Sequence, residues 1–193
     1  MNRFTNEMAV LKTIIRRKSV PKIIENVREQ LLAEAKKQVF ERGYADTTIR
    51  SVAGACGLGV GTVYNYFESK EMLIATFVYE DWKKHLLLMK ELPTDNPYTL
   101  FRGIYYSIRR FADENERLFS DIDAIKLVSV GSSSRHKMLR EQISAFILPV
   151  CSEKDEKQAK LVSEFIAESL ICWSMENVDF DSVYPLFERI IKK

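Results

Sequence analysis

Between residues 61 and 67 the chain reads Gly-Thr-Val-Tyr-Asn-Tyr-Phe, and four of these side chains, Thr62, Tyr64, Asn65 and Tyr66, carry hydroxyls or an amide. Hydroxyls donate to phosphate oxygens, and an amide offers both a donor and an acceptor to a base edge. The chemistry on offer is recognition of nucleic acid. Val63 and Phe67, four residues apart, fall together on the other face, where a short helix would turn them inward.

Such a face has to be presented by a partner helix, and the preceding residues supply one. Thr48 is a good N-cap, because its hydroxyl accepts from a backbone N–H two or three residues on, and Ile49, Val52, Ala53 and Cys56 then recur at helical spacing. Gly57 follows where this helix must stop, since the residue after a C-cap usually needs positive φ. Leu58 is placed to plug the angle between the two helices. Upstream, Ile24, Val27, Leu31, Ala35 and Val39 form an apolar stripe that predicts a helix over residues 21–42, ended by Gly43. Residues 43–73 therefore read as two short helices around a glycine turn, the form of a DNA-reading unit.

Downstream, Ser69 caps a predicted long helix over 69–91 that would connect two parts of the protein. Pro93 to Pro97 is a break, with Pro97 suited to the first turn of the next helix, over 100–112. A short piece over 117–123 and a segment over 123–130 come next, and Gly131-Ser132-Ser133-Ser134 reads as a loop. A helix over 135–148 is ended or kinked by Pro149. Ser152-Glu153-Lys154-Asp155 reads as a capping box opening a helix to 175, and 181–191 supplies a last one. With no strand-like alternation and no repeat, the expected fold class is all-α, with about nine helices.

Composition agrees. The 193 residues are 46% hydrophobic and 29% charged, ordinary for a globular protein with a real core. The net charge of +2 conceals an asymmetry: residues 1–70 hold 12 Lys and Arg against 7 Asp and Glu, leaving 17 against 20 for the remainder. Only the first part is charged to suit phosphate, although a net +5 is equally compatible with an ordinary solvated surface. No apolar run approaches the roughly 20 residues that span a bilayer, and no signal-peptide pattern opens the chain, so a cytoplasmic protein is expected. Cys56, Cys151 and Cys172 lack metal-ligand spacing and are expected to be reduced, structural and buried among apolar neighbours. His85 and His136 stand near no nucleophile or carboxylate pair of recognisable spacing, and no P-loop, GxSxG or dinucleotide fingerprint occurs. The expectation is therefore no enzyme, no metal and no cofactor. In residues 1–20, Arg16-Arg17-Lys18 is read either as a basic arm or as a solvated terminus, and Met8, Leu11, Ile14 and Ile15 as a further amphipathic turn.

The run T-T-I-R-x-V-A-x-x-x-G-L-x-x-G-T-V-Y-N-Y-F-x-S-K-E-x-L resembles the N-terminal domain of the TetR family of bacterial transcriptional repressors, with agreement almost unbroken over residues 39–73. The resemblance implies an N-terminal extension over 1–20, a helix-turn-helix DNA-binding domain over 21–68 and a ligand-binding and dimerisation domain over 69–193. Thr48, Thr62, Tyr64, Tyr66 and Lys70 match the family's phosphate-contacting positions; Arg50, Val60, Gly61 and Asn65 lie where the family reads or approaches bases. Arg50 suits a guanine, Asn65 an adenine and Val60 a thymine methyl. Tyr64 has a packing reading beside the phosphate one. Gly59 and Val60 replace the family's common Ser and Lys, removing an N-cap hydroxyl and a phosphate contact.

For the second half the resemblance implies a ligand cavity and a four-helix dimer interface from the last two helices. Phe101, Tyr105, Phe119, Phe146 and Trp173, with Phe111 and Phe165, either line an apolar pocket or form plain core. Val162, Phe165, Ile166, Ser169, Leu170 and Trp173, then Val183, Phe187 and Ile190, are the apolar positions available to a partner chain. The implied function is a one-component regulator: a homodimeric repressor on a palindromic operator of double-stranded DNA, released by an unknown small apolar or amphipathic effector. The competing readings are a non-switching architectural DNA binder and an enzyme.

Overall fold

The structure, a computed structural model, describes residues 26–121, 132–151 and 154–192, and every regular element among them is helical. In chain order these are α1 (Val27–Arg42), α2 (Ile49–Ala55), α3 (Val60–Tyr64), α4 (Lys70–Lys90), α5 (Pro97–Glu114), α6 (Glu116–Phe119), α7 (Ser132–Ile147), α8 (Glu156–Met175) and α9 (Phe180–Ile191), with a 3-10 turn over Leu148–Cys151. The all-α reading with about nine helices holds for the described residues. The expectations for residues 1–20, Pro21, Ile24, 123–130, Gly131, Ser152 and Glu153 lie outside them.

The ends of the helices follow local chemistry. Among the described residues α1 starts at Val27, with Asn26 before it in the left-handed conformation (φ 61°), which asparagine tolerates and a right-handed helix does not. It stops at Gly43, whose φ of 93° and N–H to the Val39 carbonyl close the last turn. α5 begins at Pro97 with Asn96 as N-cap, earlier than the expected 100, since the Asn96 carboxamide oxygen accepts from the Tyr98 and Thr99 N–H groups.

Three expectations are corrected. Ser132, Ser133 and Ser134 are helical rather than loop: serine's helix penalty is only about 0.5 kcal/mol per residue, and the packed face formed by Ile143 and Ile147 outweighs it. The N-cap of α8 is Asp155, whose carboxylate accepts from the Gln158 N–H, instead of Ser152. α3 ends at Tyr64, short of the expected 67, with Asn65 as C-cap and the chain tightening as the Tyr66 N–H closes onto the Val63 carbonyl three residues back. Pro149 sits in the 3-10 turn that ends α7, and Pro185 lies inside α9.

Two hydrophobic cores result. The first holds Leu31, Leu32, Ala35 and Val39 of α1, Ile49, Val52 and Ala53 of α2, Val63 and Phe67, and also Leu73, Ile74 and Phe77 of α4 with Leu118 of α6. The second is built from α4, α5, α7, α8 and α9, around Phe101, Ile104, Tyr105, Ile143, Ile166, Leu170 and Phe187. α4 belongs to both, giving Leu73, Ile74 and Phe77 to one and Trp82 and Met89 to the other, while Val78 packs against each.

Electrostatics fixes the crossing of α1 and α4. Asp81 is buried and accepts from Lys36 of α1 and, at 2.8 Å, from Lys84; Arg28 reaches Glu80 at 3.3 Å. Burial alone would raise the Asp81 carboxyl, but the two lysines hold it below the usual carboxylate range. An acid of depressed pKa contributes stability that is complete above its unfolded value, about 3.9, and is lost as pH falls through the folded value. Asp81→Asn should therefore lower unfolding free energy at pH 7 by about 1–2 kcal/mol, the lysines being partly solvated, and should shrink the loss of stability on acidification below about pH 4. Thermal melts of both proteins from pH 7 to 3 measure this; parallel curves would remove Asp81 from the account.

Candidate nucleic-acid interface

The helical hairpin is held by reciprocal caps. The Ser51 N–H donates to Thr48 Oγ1 and the Thr48 N–H to Ser51 Oγ, both at 3.0 Å, a closed capping box at the start of α2. The Ser51 hydroxyl lies 2.6 Å from Oε1 of the buried Gln38, tying this cap to α1. At the other end Gly57 (φ 68°) donates to the Gly54 carbonyl and Leu58 to Ala53, the paired bonds of a Schellman motif, and Leu58 packs on the first core. Ser51 escaped the sequence reading, although the spacing Thr48-x-x-Ser51 was the available signal.

With Val63 and Phe67 buried, α3 and the turn after it present Tyr64, 53% exposed, and Tyr66, 47%, and Gly61 and Asn65 are exposed too. Thr48 and Arg50 are exposed at the start of α2. Exposed tyrosine rings beside an exposed amide and guanidinium are what phosphate and base contacts require. A Cβ added at Gly61 would meet nothing within 4 Å, so the hairpin surface is open there to close approach.

Three of the sequence-derived site residues are placed differently from a free surface. Val60 is half-buried against the first core, and Thr62 is half-buried beside Gly59. Gly59 is the N-cap of α3 without a side-chain bond, as its lack of a hydroxyl dictates. The Lys70 ammonium donates to the Tyr44 carbonyl at 2.6 Å and sits 3.9 Å from the Tyr44 ring centroid. Tyr44 in turn donates to Glu71 at 3.1 Å, and the Glu71 carboxyl is held below the usual range by the Ser69 hydroxyl, its own backbone N–H and Tyr44. Lys70 thus joins the hairpin to α4 whatever else its remaining donors reach.

In the second half the five candidate aromatics belong to or pack on one core, and four of them divide between two groups of rings. Phe101 lies 5.8 Å from Phe187 and Trp173 5.4 Å from Phe187, while Tyr105 meets Phe180 at 5.5 Å and donates to the Val178 and Trp173 carbonyls. Phe119 stands with Phe111, Trp82 and His85. Phe146 packs at the edge of the core. Of the apolar positions expected to face a partner chain, Ile166, Leu170, Val183 and Phe187 are core instead; the exposed apolar side chains of α8 and α9 are Leu161, Phe165, Met175 and Leu186.

The cysteines are free, but only Cys151 is fully buried. Cys56 is half-buried, and Cys172 is exposed, contrary to expectation, because it lies on the same outward stripe of α8 as Leu161 and Phe165. The Cys172 thiol is pushed up by the neighbouring Glu176 carboxylate. No group of three or more His, Cys, Asp or Glu that could hold a metal occurs among the described residues, and no helix among them is long and apolar enough to cross a membrane.

Against this geometry the comparisons are consistent. The sequence profile of the bacterial regulatory proteins of the tetR family matches residues 31–76, which run from α1 into α4. The chain is 27% identical over 124 residues to the HTH-type transcriptional repressor KstR2 of Mycolicibacterium smegmatis, a match spanning 58% of this chain and 60% of that protein. Among solved structures, the TetR-family repressor AlkX of a Dietzia species, implicated in biodegradation of n-alkanes, superposes with a TM-score of 0.56 at 16% identity, covering 83% of this chain and 97% of that one. A TetR-family regulator from Haemophilus influenzae gives 0.53 at 15% identity, over 86% and 94%. At those identities the solved structures show the fold. Residues 31–76 therefore carry the DNA-binding domain of the tetR family of bacterial regulatory proteins, set on a helical body that shares the fold of solved TetR-family regulators.

Proposed function

We propose that the protein is a cytoplasmic homodimeric repressor that reads a palindromic operator through residues 21–68 and is released from it by a small apolar or amphipathic effector bound within residues 69–193. The observation that carries the reading is the outward array of Thr48, Arg50, Gly61, Tyr64, Asn65 and Tyr66 over a hairpin pinned by Val63 and Phe67. Tyr64, Tyr66, Thr48, Thr62 and Lys70 fix register on phosphates; Arg50, Asn65, Gly61 and the exposed part of Val60 meet base edges. The repressor sense is supported by the name of the mycobacterial relative.

The packing supports such a release. α4 sits in both cores, Leu118 of α6 is buried in the first, and Arg117 of α6 donates to the Phe40 carbonyl. An effector held among Phe101, Tyr105, Phe119, Phe146 and Trp173 would shift α4 and α5 and carry the hairpin with them. Two recognition helices must stand about 34–36 Å apart, or a multiple, to enter successive major grooves, so a modest rotation breaks register. Dimerisation is supported by the stripe Leu161, Phe165, Cys172 and Met175 along α8 with Leu186 on α9, apolar and exposed in the single chain.

Asn65→Ala should weaken binding to a selected operator by about 1–3 kcal/mol and leave binding to scrambled duplex nearly unchanged, whereas Tyr64→Phe should weaken both alike. Fluorescence anisotropy on the two duplexes distinguishes them; an equal loss from Asn65→Ala on both would reassign that residue to the phosphates.

Placing a charge on the α8 stripe, as in Phe165→Glu, should raise the dimer dissociation constant by about a hundredfold or more with little change in helical content, since Phe165 is exposed within the chain. Analytical ultracentrifugation reads this directly. A variant that stays as dimeric as the wild type would move the interface elsewhere.

A further inference from the structure

The side that α1 turns to α2 is polar as well as apolar. Beside the buried Leu31, Ala35 and Val39 runs a second row, Gln30, Glu34 and Gln38, whose spacing of four stacks them along one side of the helix. Both ends of this row meet the α2 segment. Gln38, 1% exposed, lies 2.6 Å from the Ser51 hydroxyl in the first turn of α2, and the Cys56 thiol at the C-cap lies 3.7 Å from the Gln30 carbonyl. Glu34 stands between them, bonded to Gln38 and near enough to Cys56 to push its thiol up, second to burial.

Atom types fix the direction of each bond at the Gln38 end. Gln38 Nε2 donates to Glu34 Oε1 at 2.8 Å, which leaves the amide oxygen facing Ser51. An amide oxygen only accepts, so the Ser51 hydroxyl is the donor. Ser51 Oγ accepts in turn from the Thr48 N–H, and the Ser51 N–H donates to Thr48 Oγ1, both at 3.0 Å. A buried side chain of α1 is thereby linked to the first turn of α2.

That link supplies what apolar packing lacks. α2 spans seven residues, and Ile49, Val52 and Ala53 hold it to the first core, but apolar burial is non-directional and does not fix how so short a helix is rolled about its axis. A short hydrogen bond is directional. Arg50 is exposed and immediately precedes Ser51, so the roll set at Ser51 also sets the direction in which the guanidinium leaves the hairpin. A bidentate contact to a base edge depends on that direction.

Resting on the base-reading role given to Arg50 above, we propose that Gln38 is a positioning residue for sequence recognition: through Ser51 it fixes the roll of α2 and with it the aim of Arg50. Gln38 is buried and acts without touching DNA.

The test uses the full chain, a duplex selected from random sequence with the wild type, and a scrambled duplex of the same length at the same salt. Gln38→Met keeps the length of the side chain and removes both of its bonds, while the Ser51 hydroxyl still has the Thr48 carbonyl at 2.9 Å as acceptor. The expected result is a loss of about tenfold in affinity for the selected duplex with little change on the scrambled one. In an Arg50→Ala background the same change should cost less than about twofold, because the two residues act through one contact. Selection from random DNA with Gln38→Met should flatten the same base position as selection with Arg50→Ala. No loss on the selected duplex, equal losses on both duplexes, or an undiminished loss in the Arg50→Ala background would overturn the proposal and leave DNA reading standing. An Arg50→Ala protein with unchanged sequence preference would overturn it too, since Arg50 would then read no base. Should Gln38→Met not fold, Ser51→Ala removes the same bond from its other end and is read in the same way. A wild type that selects no sequence at all would overturn base reading and this proposal together.

Discussion

One helix cannot move without consequence here, because α4 is buried in two cores at once. Its first half gives Leu73, Ile74 and Phe77 to the packing beneath the hairpin, and its second half gives Trp82 and Met89 to the helical body. Between them Asp81 is clamped by Lys36 and Lys84, so α1 and α4 share a buried charge whose separation would leave a carboxylate unpaired out of water. Leu118 adds a second route from the body into the hairpin core. Close-packed interiors deform little, so a displacement of α4 is passed on rather than absorbed.

The hairpin was legible in the sequence because each of its features is local. Thr48 as a cap, Gly57 as the left-handed stop, and Val63 with Phe67 as the inward pair all stand where spacing puts them. What sequence could not give were decisions made by distant partners. The serines at 132–134 are drawn into α7 by packing downstream, and Asp155 rather than Ser152 caps α8. Lys70, read as a free phosphate donor, is engaged with a carbonyl 26 residues away, a contact that no periodicity encodes.

The same division holds for the second half. Helical spacing alone offered Phe165 together with Ile166, Leu170, Val183 and Phe187 as partner-facing positions, yet two faces of α8 are apolar, and only the packed structure tells the core face from the one left outside, Leu161, Phe165 and Met175. Aromatic content pointed to the body as an apolar store, but which rings meet which, Phe101 and Trp173 on Phe187 and Phe119 on Phe111, is settled by packing between distant helices.

The central claim is that the surface from Thr48 to Lys70 meets DNA. The most direct measurement is amide chemical-shift mapping of isotopically labelled full-length protein titrated with a duplex selected from random sequence. The account predicts the largest perturbations at Thr48, Arg50, Gly61, Thr62, Tyr64, Asn65, Tyr66 and Lys70, with smaller shifts along α4. Perturbations concentrated on α7, α8 or α9 with the hairpin silent would contradict it.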